Sequence, residues 1–282
     1  MKTLSIITIN KNNAVGLKKT IHSVVCQTNI DFEYLIIDGA SDDESVEIIK
    51  KYSNSITYWI SEPDTGIYNA MNKGIRKAQG NYCLFLNSGD WLVSPETLSN
   101  VFREIKNNHS DIFYSDRKNS NNKIIRYPEF LTIDYLARRP INHQNSLIKR
   151  SLFFEHGFYN ENLKIASDWE FFLKELWEYK STFFHLKTNI SVFDTSGISS
   201  RSQISERYNE YAIIFKNVFQ ELAAPLLEYR YIRRTIYYRI FTKYSIFLKR
   251  GEPNFLKFLL TVYKIFLKMT SYIFSSSRKG NV

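Results

Sequence analysis

The apolar run Tyr82-Cys83-Leu84-Phe85-Leu86 gives way at once to Asn87-Ser88-Gly89-Asp90, which sets a carboxylate at the C-terminal lip of what reads as a buried strand. In an open α/β sheet, ligands bind in the crevice outside the carboxyl ends of the strands. An acidic side chain there invites a divalent cation, which takes oxygen ligands. Two other strand-like runs end alike: Leu4 to Ile9 passes into Asn10-Lys11-Asn12, and Tyr34 to Ile37 into Asp38-Gly39-Ala40-Ser41-Asp42. Three polar strand ends on one sheet edge make a site, and Thr8 and Asn10 line it by position.

Strand-like runs Leu4 to Ile9, Tyr34 to Ile37, Ile56 to Ile60 and Tyr82 to Leu86 alternate with helical periodicity, which predicts βαβ units and a largely parallel sheet. The first helix carries the stripe Leu17, Ile21, Val24 and Val25. The third carries Ile67, Met71, Ile75 and Ala78 and is expected to close with Gly80 as its C-terminal cap. Between them, Asp42-Asp43-Glu44 makes an acidic helix start that suits the helix dipole. Further on, the pattern predicts a helix with Leu98, Val101, Phe102 and Ile105, and short strands at Asp111 to Tyr114, Lys123 to Tyr127 and Ser146 to Ile148. A short helix capped by Ser151 should end at Gly157, and a longer one should begin near Ser167.

Five segments, in order, resemble the motifs of the inverting family 2 glycosyltransferases, enzymes of GT-A fold. They are Ser5-Ile6-Ile7-Thr8, Ile36-Ile37-Asp38-Gly39-Ala40-Ser41-Asp42, the run Ser61 to Gly74, Leu86-Asn87-Ser88-Gly89-Asp90, and Ala166-Ser167-Asp168-Trp169-Glu170. The resemblance fades beyond about Ser200. It implies a GT-A-like α/β catalytic domain over residues 1–200, with a mostly parallel sheet flanked by helices, and a basic helical appendage over 201–282. The implied activity is transfer of a sugar from a nucleotide-sugar donor, a UDP-sugar foremost, to a saccharide or lipid-linked acceptor in surface-polysaccharide or glycolipid assembly.

Such a transfer breaks an anomeric C–O bond, and negative charge builds on the departing diphosphate, usually stabilised by a metal ion. By resemblance Asp90 binds Mg²⁺ or Mn²⁺. Asn87 and Gly89 stand where the family often has carboxylates, which suits a cation held by one or two carboxylates plus substrate phosphates. The resemblance also places Asp38 on the base or ribose and Asp64 near the donor, with Asn87 and Ser88 on the nucleotide-sugar. Lys73, on the third helix, could reach a phosphate. Inverting displacement needs a base for the acceptor hydroxyl. Asp168, at a helix start whose dipole favours a carboxylate, fits that role, with Glu170 behind it. Trp169 could stack on a sugar face, and His143 resembles an acceptor-side residue. Asp194-Thr195-Ser196-Gly197 resembles a closing loop near the diphosphate.

The twelve Lys/Arg and two Glu between Glu228 and Val282 account for the whole net charge of +10. The stripe Phe255, Phe258, Leu259, Val262, Ile265 and Phe266 alternates with Lys257, Lys264 and Lys268, which reads as a basic amphipathic helix for an anionic membrane surface. A nucleic-acid partner is disfavoured, because an RNA-binding face has no need of a continuous apolar stripe. A nucleotidyltransferase would want a Gly-rich, Lys-bearing phosphate loop after the first strand, and none is present. Met1-Lys2-Thr3 leads straight into a strand pattern and no uncharged apolar stretch of ~18 residues occurs. The expectation is a cytoplasmic enzyme, peripheral on the inner face of the membrane, with a homodimer possible through the same stripe. Cys26 and Cys83 sit in apolar runs and read as core thiols.

Overall fold

A computed structural model describes residues 3–28, 31–195, 204–223 and 227. The chain divides into two compact units, Met1–Glu221 and Leu222–Val282. The expected membrane-directed segment, Tyr229 to Phe274, lies outside the described residues.

The first unit is built on a seven-stranded sheet in the order β10-β6-β9-β4-β1-β2-β3. Its strands are β1 (Leu4–Asn10), β2 (Phe32–Asp38), β3 (Tyr58–Ser61), β4 (Tyr82–Phe85), β6 (Ile112–Ser115), β9 (Ser146–Lys149) and β10 (Phe183–Leu186). All are mutually parallel except β9, which runs antiparallel between β4 and β6. A smaller sheet, β5-β11-β7-β8, comprises β5 (Trp91–Leu92), β7 (Arg117–Asn119), β8 (Ile124–Ile125) and β11 (Ser191–Phe193). The strand expected over Lys123 to Tyr127 is thus only Ile124–Ile125.

Register brings the polar ends together. Asn10 pairs with Asp38, and Asp38 with Ser61, while Ser88 donates its N–H to the Ile9 carbonyl at 3.0 Å. A parallel sheet covered on both faces needs continuous apolar strands, and Leu4, Ile6 and Ile7 of β1 and Cys83 to Leu86 around β4 are fully buried. Helix α1 (Ala14–Val25), capped by Asn13, buries Leu17, Ile21 and Val24, the expected stripe. Helix α2 (Ser45–Lys51) follows the acidic start, where the Asp43 carboxylate accepts the Ser45 N–H. Helix α3 (Ile67–Lys77) buries Met71 and Ile75. Gly74 faces β1 so closely that a Cβ there would lie 2.5 Å from Ile7 Cγ2.

Gly80 does not cap α3; the cap is extended Ala78. Gly80 instead passes against the backbone of β1, where a Cβ would lie 2.6 Å from both Leu4 C and Ser5 N. Helix α4 (Thr97–Ile105) buries Leu98, Val101 and Ile105 as expected. A short α5 (Ile133–Arg138) follows. Helix α6 (Arg150–Glu155) starts one residue before Ser151, and Gly157, at φ +106°, lies just past its end. Helix α7 (Ser167–Trp177) begins where the sequence indicated.

The division between units falls after Glu221 and not at residue 200. Helix α8 (Ile204–Phe219) belongs to the first unit because it buries Ile214, Phe215, Val218 and Phe219. Phe215 packs on Trp169 and Phe219 on Trp177, with ring centroids 5.8 and 5.7 Å apart.

Candidate active site

Asp38 is fully buried at the end of β2 and accepts four hydrogen bonds: from Asn10 Nδ2 (2.7 Å), Ser41 N (2.9 Å), Ser41 Oγ (2.6 Å) and Ser61 Oγ (2.6 Å). Burial alone would push its pKa up, but these donors outweigh it and hold the carboxyl below its ordinary range. Asp38 is therefore the hub that ties three strand ends together, and it does not line the cavity beside it. Because the Asn10 amide nitrogen is committed to Asp38, its Oδ1 is buried without a partner. Asn10 does line the cavity.

That cavity, about 650 Å³, also takes in Asp64, Asn87, Ser88, Asp90 and Asp194. Asp64 folds back on the Gly66 N–H (3.0 Å) and lies close over Gly39, where a Cβ would stand 2.2 Å from Asp64 Oδ2 and displace the carboxylate. Besides Asp38, two more expected residues are not in the cavity. Thr8 is sealed inside the fold, its hydroxyl 3.0 Å from that of Tyr34, because β1 is buried along its whole length. Lys73 is drawn to the Pro63 carbonyl and to Glu62, both at 2.8 Å, and staples that loop to α3 in place of reaching a phosphate.

The turn at Asp90 is fixed from α1: Thr20 Oγ1 accepts the Gly89 N–H (2.9 Å) and donates to the Asp90 carbonyl (2.6 Å). Gly89 has φ +107°, and a Cβ there would meet Asp194 Oδ2 at 2.7 Å, so glycine is needed on both counts. The Asp90 carboxylate accepts the Asp194 N–H at 2.8 Å. Burial pushes its pKa up to about 6, against the opposing pull of that N–H, His143 and Gln144, while the Asp194 charge adds to the rise. A buried carboxylate beside a second one, with the unpartnered Asn87 Oδ1 at the same turn, is an oxygen donor set that fits Mg²⁺ or Mn²⁺. Among the described residues no three His, Cys, Asp or Glu side chains cluster as a complete cage, so substrate oxygens would have to complete the coordination.

A second cavity of about 350 Å³ shares Ile67, Asn87, Gln144 and Phe193 with the first. On its wall His143 Nδ1 lies 2.7 Å from Asp168 Oδ2, the Tyr68 hydroxyl donates to Asp168 Oδ1 (3.1 Å), and Asn87 Nδ2 lies 3.4 Å from His143 Nε2. With the imidazole proton on Nδ1 and Asn87 donating to Nε2, one hydrogen-bonded chain runs Tyr68–Asp168–His143–Asn87 into the Asp90 turn. Burial, and then the Asp168 charge, raise the Tyr68 pKa well above the usual phenol range and keep it a donor.

Trp169 borders this cavity but presents no open ring face for a sugar. It is 1% exposed, its indole N–H donates to the Leu136 carbonyl, and its ring packs on Tyr211. Glu170 is likewise buried, bound to Asn160 and Asn217, and lines neither cavity, which removes it as a reserve base. Three residues escaped sequence reading. Tyr68 meets Asp168 across 100 residues. Arg117 enters from β7, a three-residue strand inside the smaller sheet. Glu210 caps the loop before Asp168 by accepting the N–H groups of Lys164, Ile165 and Ala166. No local pattern marks any of them.

The family model for glycosyl transferase family 2 matches residues 5–164. An uncharacterised glycosyltransferase of Mycobacterium tuberculosis is 31% identical over 214 residues, covering 74% of this chain and 81% of that protein. Among solved structures, Staphylococcus aureus TarS 1–349 in complex with UDP-GlcNAc superposes with a TM-score of 0.63 at 20% identity, over 77% of this chain and 67% of that one. The mannosyltransferase PcManGT of Pyrobaculum calidifontis, in complex with GDP-Man and Mn²⁺, does so with a TM-score of 0.63 at 13% identity, over 99% of this chain and 86% of that one. The fold is GT-A. A polar strand-end cleft on that fold, and a family model spanning more than half the sequence, lead to one assignment: the chain belongs to glycosyl transferase family 2.

Proposed function

We propose that the enzyme moves a sugar from a nucleoside diphosphate sugar, UDP-linked foremost, to a hydroxyl of a saccharide or lipid-linked acceptor, with inversion at the anomeric carbon. The observation that carries this reading is the junction of two cavities at Asn87 and Gln144, one holding Asp90 and the other the Asp168–His143 pair. The larger cavity takes the donor. The smaller takes the acceptor, whose hydroxyl proton passes to Asp168 as its oxygen attacks C1 from the face opposite the leaving group. The C1–O(acceptor) bond forms, the C1–O(phosphate) bond breaks, and the nucleoside diphosphate departs. His143 and Tyr68 orient the Asp168 carboxylate.

Asp90, with Asp194 and Asn87 Oδ1, would hold the divalent cation, which when bound neutralises charge on the departing diphosphate. UDP-GlcNAc in the TarS complex and GDP-Man with Mn²⁺ in the PcManGT complex support a nucleotide-sugar donor and a metal. We further propose that the basic C-terminal segment holds the enzyme at an anionic leaflet, on its sequence alone. Calorimetric titration with UDP, GDP and dTDP, each with and without Mn²⁺, tests the donor reading. We expect metal-dependent binding of UDP; no binding of any of the three overturns it.

A further inference from the structure

The acceptor-side cavity carries two cations that the catalytic arrangement does not use, Arg117 and Lys164. Arg117 opens β7, and its guanidinium carbon lies over the Phe193 ring, 5.5 Å from the centroid, which places the group beside the cavity wall. One of its five N–H donors reaches Asn142 Oδ1 at 3.4 Å, and its Nε is buried with no hydrogen-bond partner. The carboxylates that could neutralise the pair are engaged elsewhere. Asp116, next in sequence, gives Oδ1 to the Tyr127 N–H and to His185 Nε2, each at 2.9 Å. Glu210 gives both oxygens to the backbone of Lys164, Ile165 and Ala166. Asp168 is held by His143 and Tyr68. Among the described residues neither Arg117 nor Lys164 is ion-paired.

A desolvated guanidinium donor with nothing to bond is a standing cost unless a ligand answers it, and a planar guanidinium matches the geometry of an oxyanion. We propose that the acceptor bears a negatively charged oxyanion, a phosphate or a carboxylate, which binds Arg117 with Lys164 at the rim and so presents a nearby hydroxyl to Asp168. This rests on reading the smaller cavity as the acceptor site. An arginine kept only to pack on Phe193 and prop Asn142 would give no dependence on ligand charge.

The test uses the full chain saturated with UDP and Mg²⁺, so that anions cannot enter the donor cavity. Saturation-transfer NMR titrations compare methyl β-glucoside, its 6-phosphate and methyl β-glucuronide. We expect at least one of the anions to bind about tenfold or more tighter than the neutral glucoside, the gain of one charge-assisted contact. The phosphate and glucuronide arms tell which oxyanion the site takes. Arg117→Gln together with Lys164→Gln should erase the preference, while Arg117→Lys, which keeps the charge and the packing stem, should retain part of it. Equal affinity for neutral and anionic ligands, no binding by either anion, or a preference that survives the double variant overturns the proposal. UDP binding, read in the same samples, tests the donor reading separately.

Discussion

Asp168 reaches the smaller cavity with both carboxylate oxygens already hydrogen-bonded, to Tyr68 on one side and His143 on the other. Asp168→Asn keeps the size and an acceptor oxygen for Tyr68 but removes the base. Transfer should fall ~10²- to 10⁴-fold while calorimetric UDP affinity stays within error; native turnover would move the base elsewhere. Asp90→Asn still accepts the Asp194 N–H, so the turn should survive, and loss of metal-assisted charge stabilisation should cost ~10²- to 10³-fold in donor turnover. A melting temperature unchanged beside that loss separates chemistry from folding. Asp90 and Asn87 were legible because they terminate an apolar run. Asp38 was legible as a strand-end acid, but its use was not: the serines that consume it sit on two other segments, and only register brings Ser61 alongside. Trp169 was misread for a related reason, since sequence shows an aromatic next to the helix-start Asp168 but not the helix that covers it.

At the scale of elements, β1 to β4 and α1, α3 and α4 follow from alternating periodicities and stand within a few residues of expectation. The antiparallel sense of β9 was not readable, because Ser146-Leu147-Ile148 is equally apolar in either direction. Gly80 was misassigned since a glycine after a helix signals a cap unless a second backbone is known to pass beside it. Gly80→Ala should therefore destabilise the fold by about 1–3 kcal/mol through overpacking against β1, measured by urea unfolding. A neutral effect would contradict the close approach to β1. The Asp38 hub makes a prediction with a definite sign. Its folded pKa is depressed, so its contribution to stability is complete above the ordinary carboxylate range, about pH 4, and is lost as pH falls through the folded value. The stability gap between the wild type and Asp38→Asn should be widest at neutral pH and narrow in acid. A gap that does not change with pH would mean the hub is not ionised.

For the molecule as a whole, the first unit runs through α8 and so includes Glu210 and Tyr211, which a boundary at residue 200 would have cut away. Truncation near Ser200 would remove Tyr211 and Phe215 and should expose Trp169, which they cover, yielding aggregation-prone protein. The excess positive charge lies between Glu228 and Val282. The full chain should float with anionic vesicles at low salt and lose this in high salt, as surface charges are screened. A chain ending at Leu227 should not float. Equal flotation of both would remove the membrane role while leaving the catalytic reading intact. That reading is tested most directly by nucleoside diphosphate release from a panel of nucleotide sugars with Mn²⁺, followed for the full chain beside its Asp90→Asn and Asp168→Asn variants. The predicted result is turnover of at least one donor by the wild type, collapsed in both variants; turnover of none, or undiminished turnover in either variant, would contradict it.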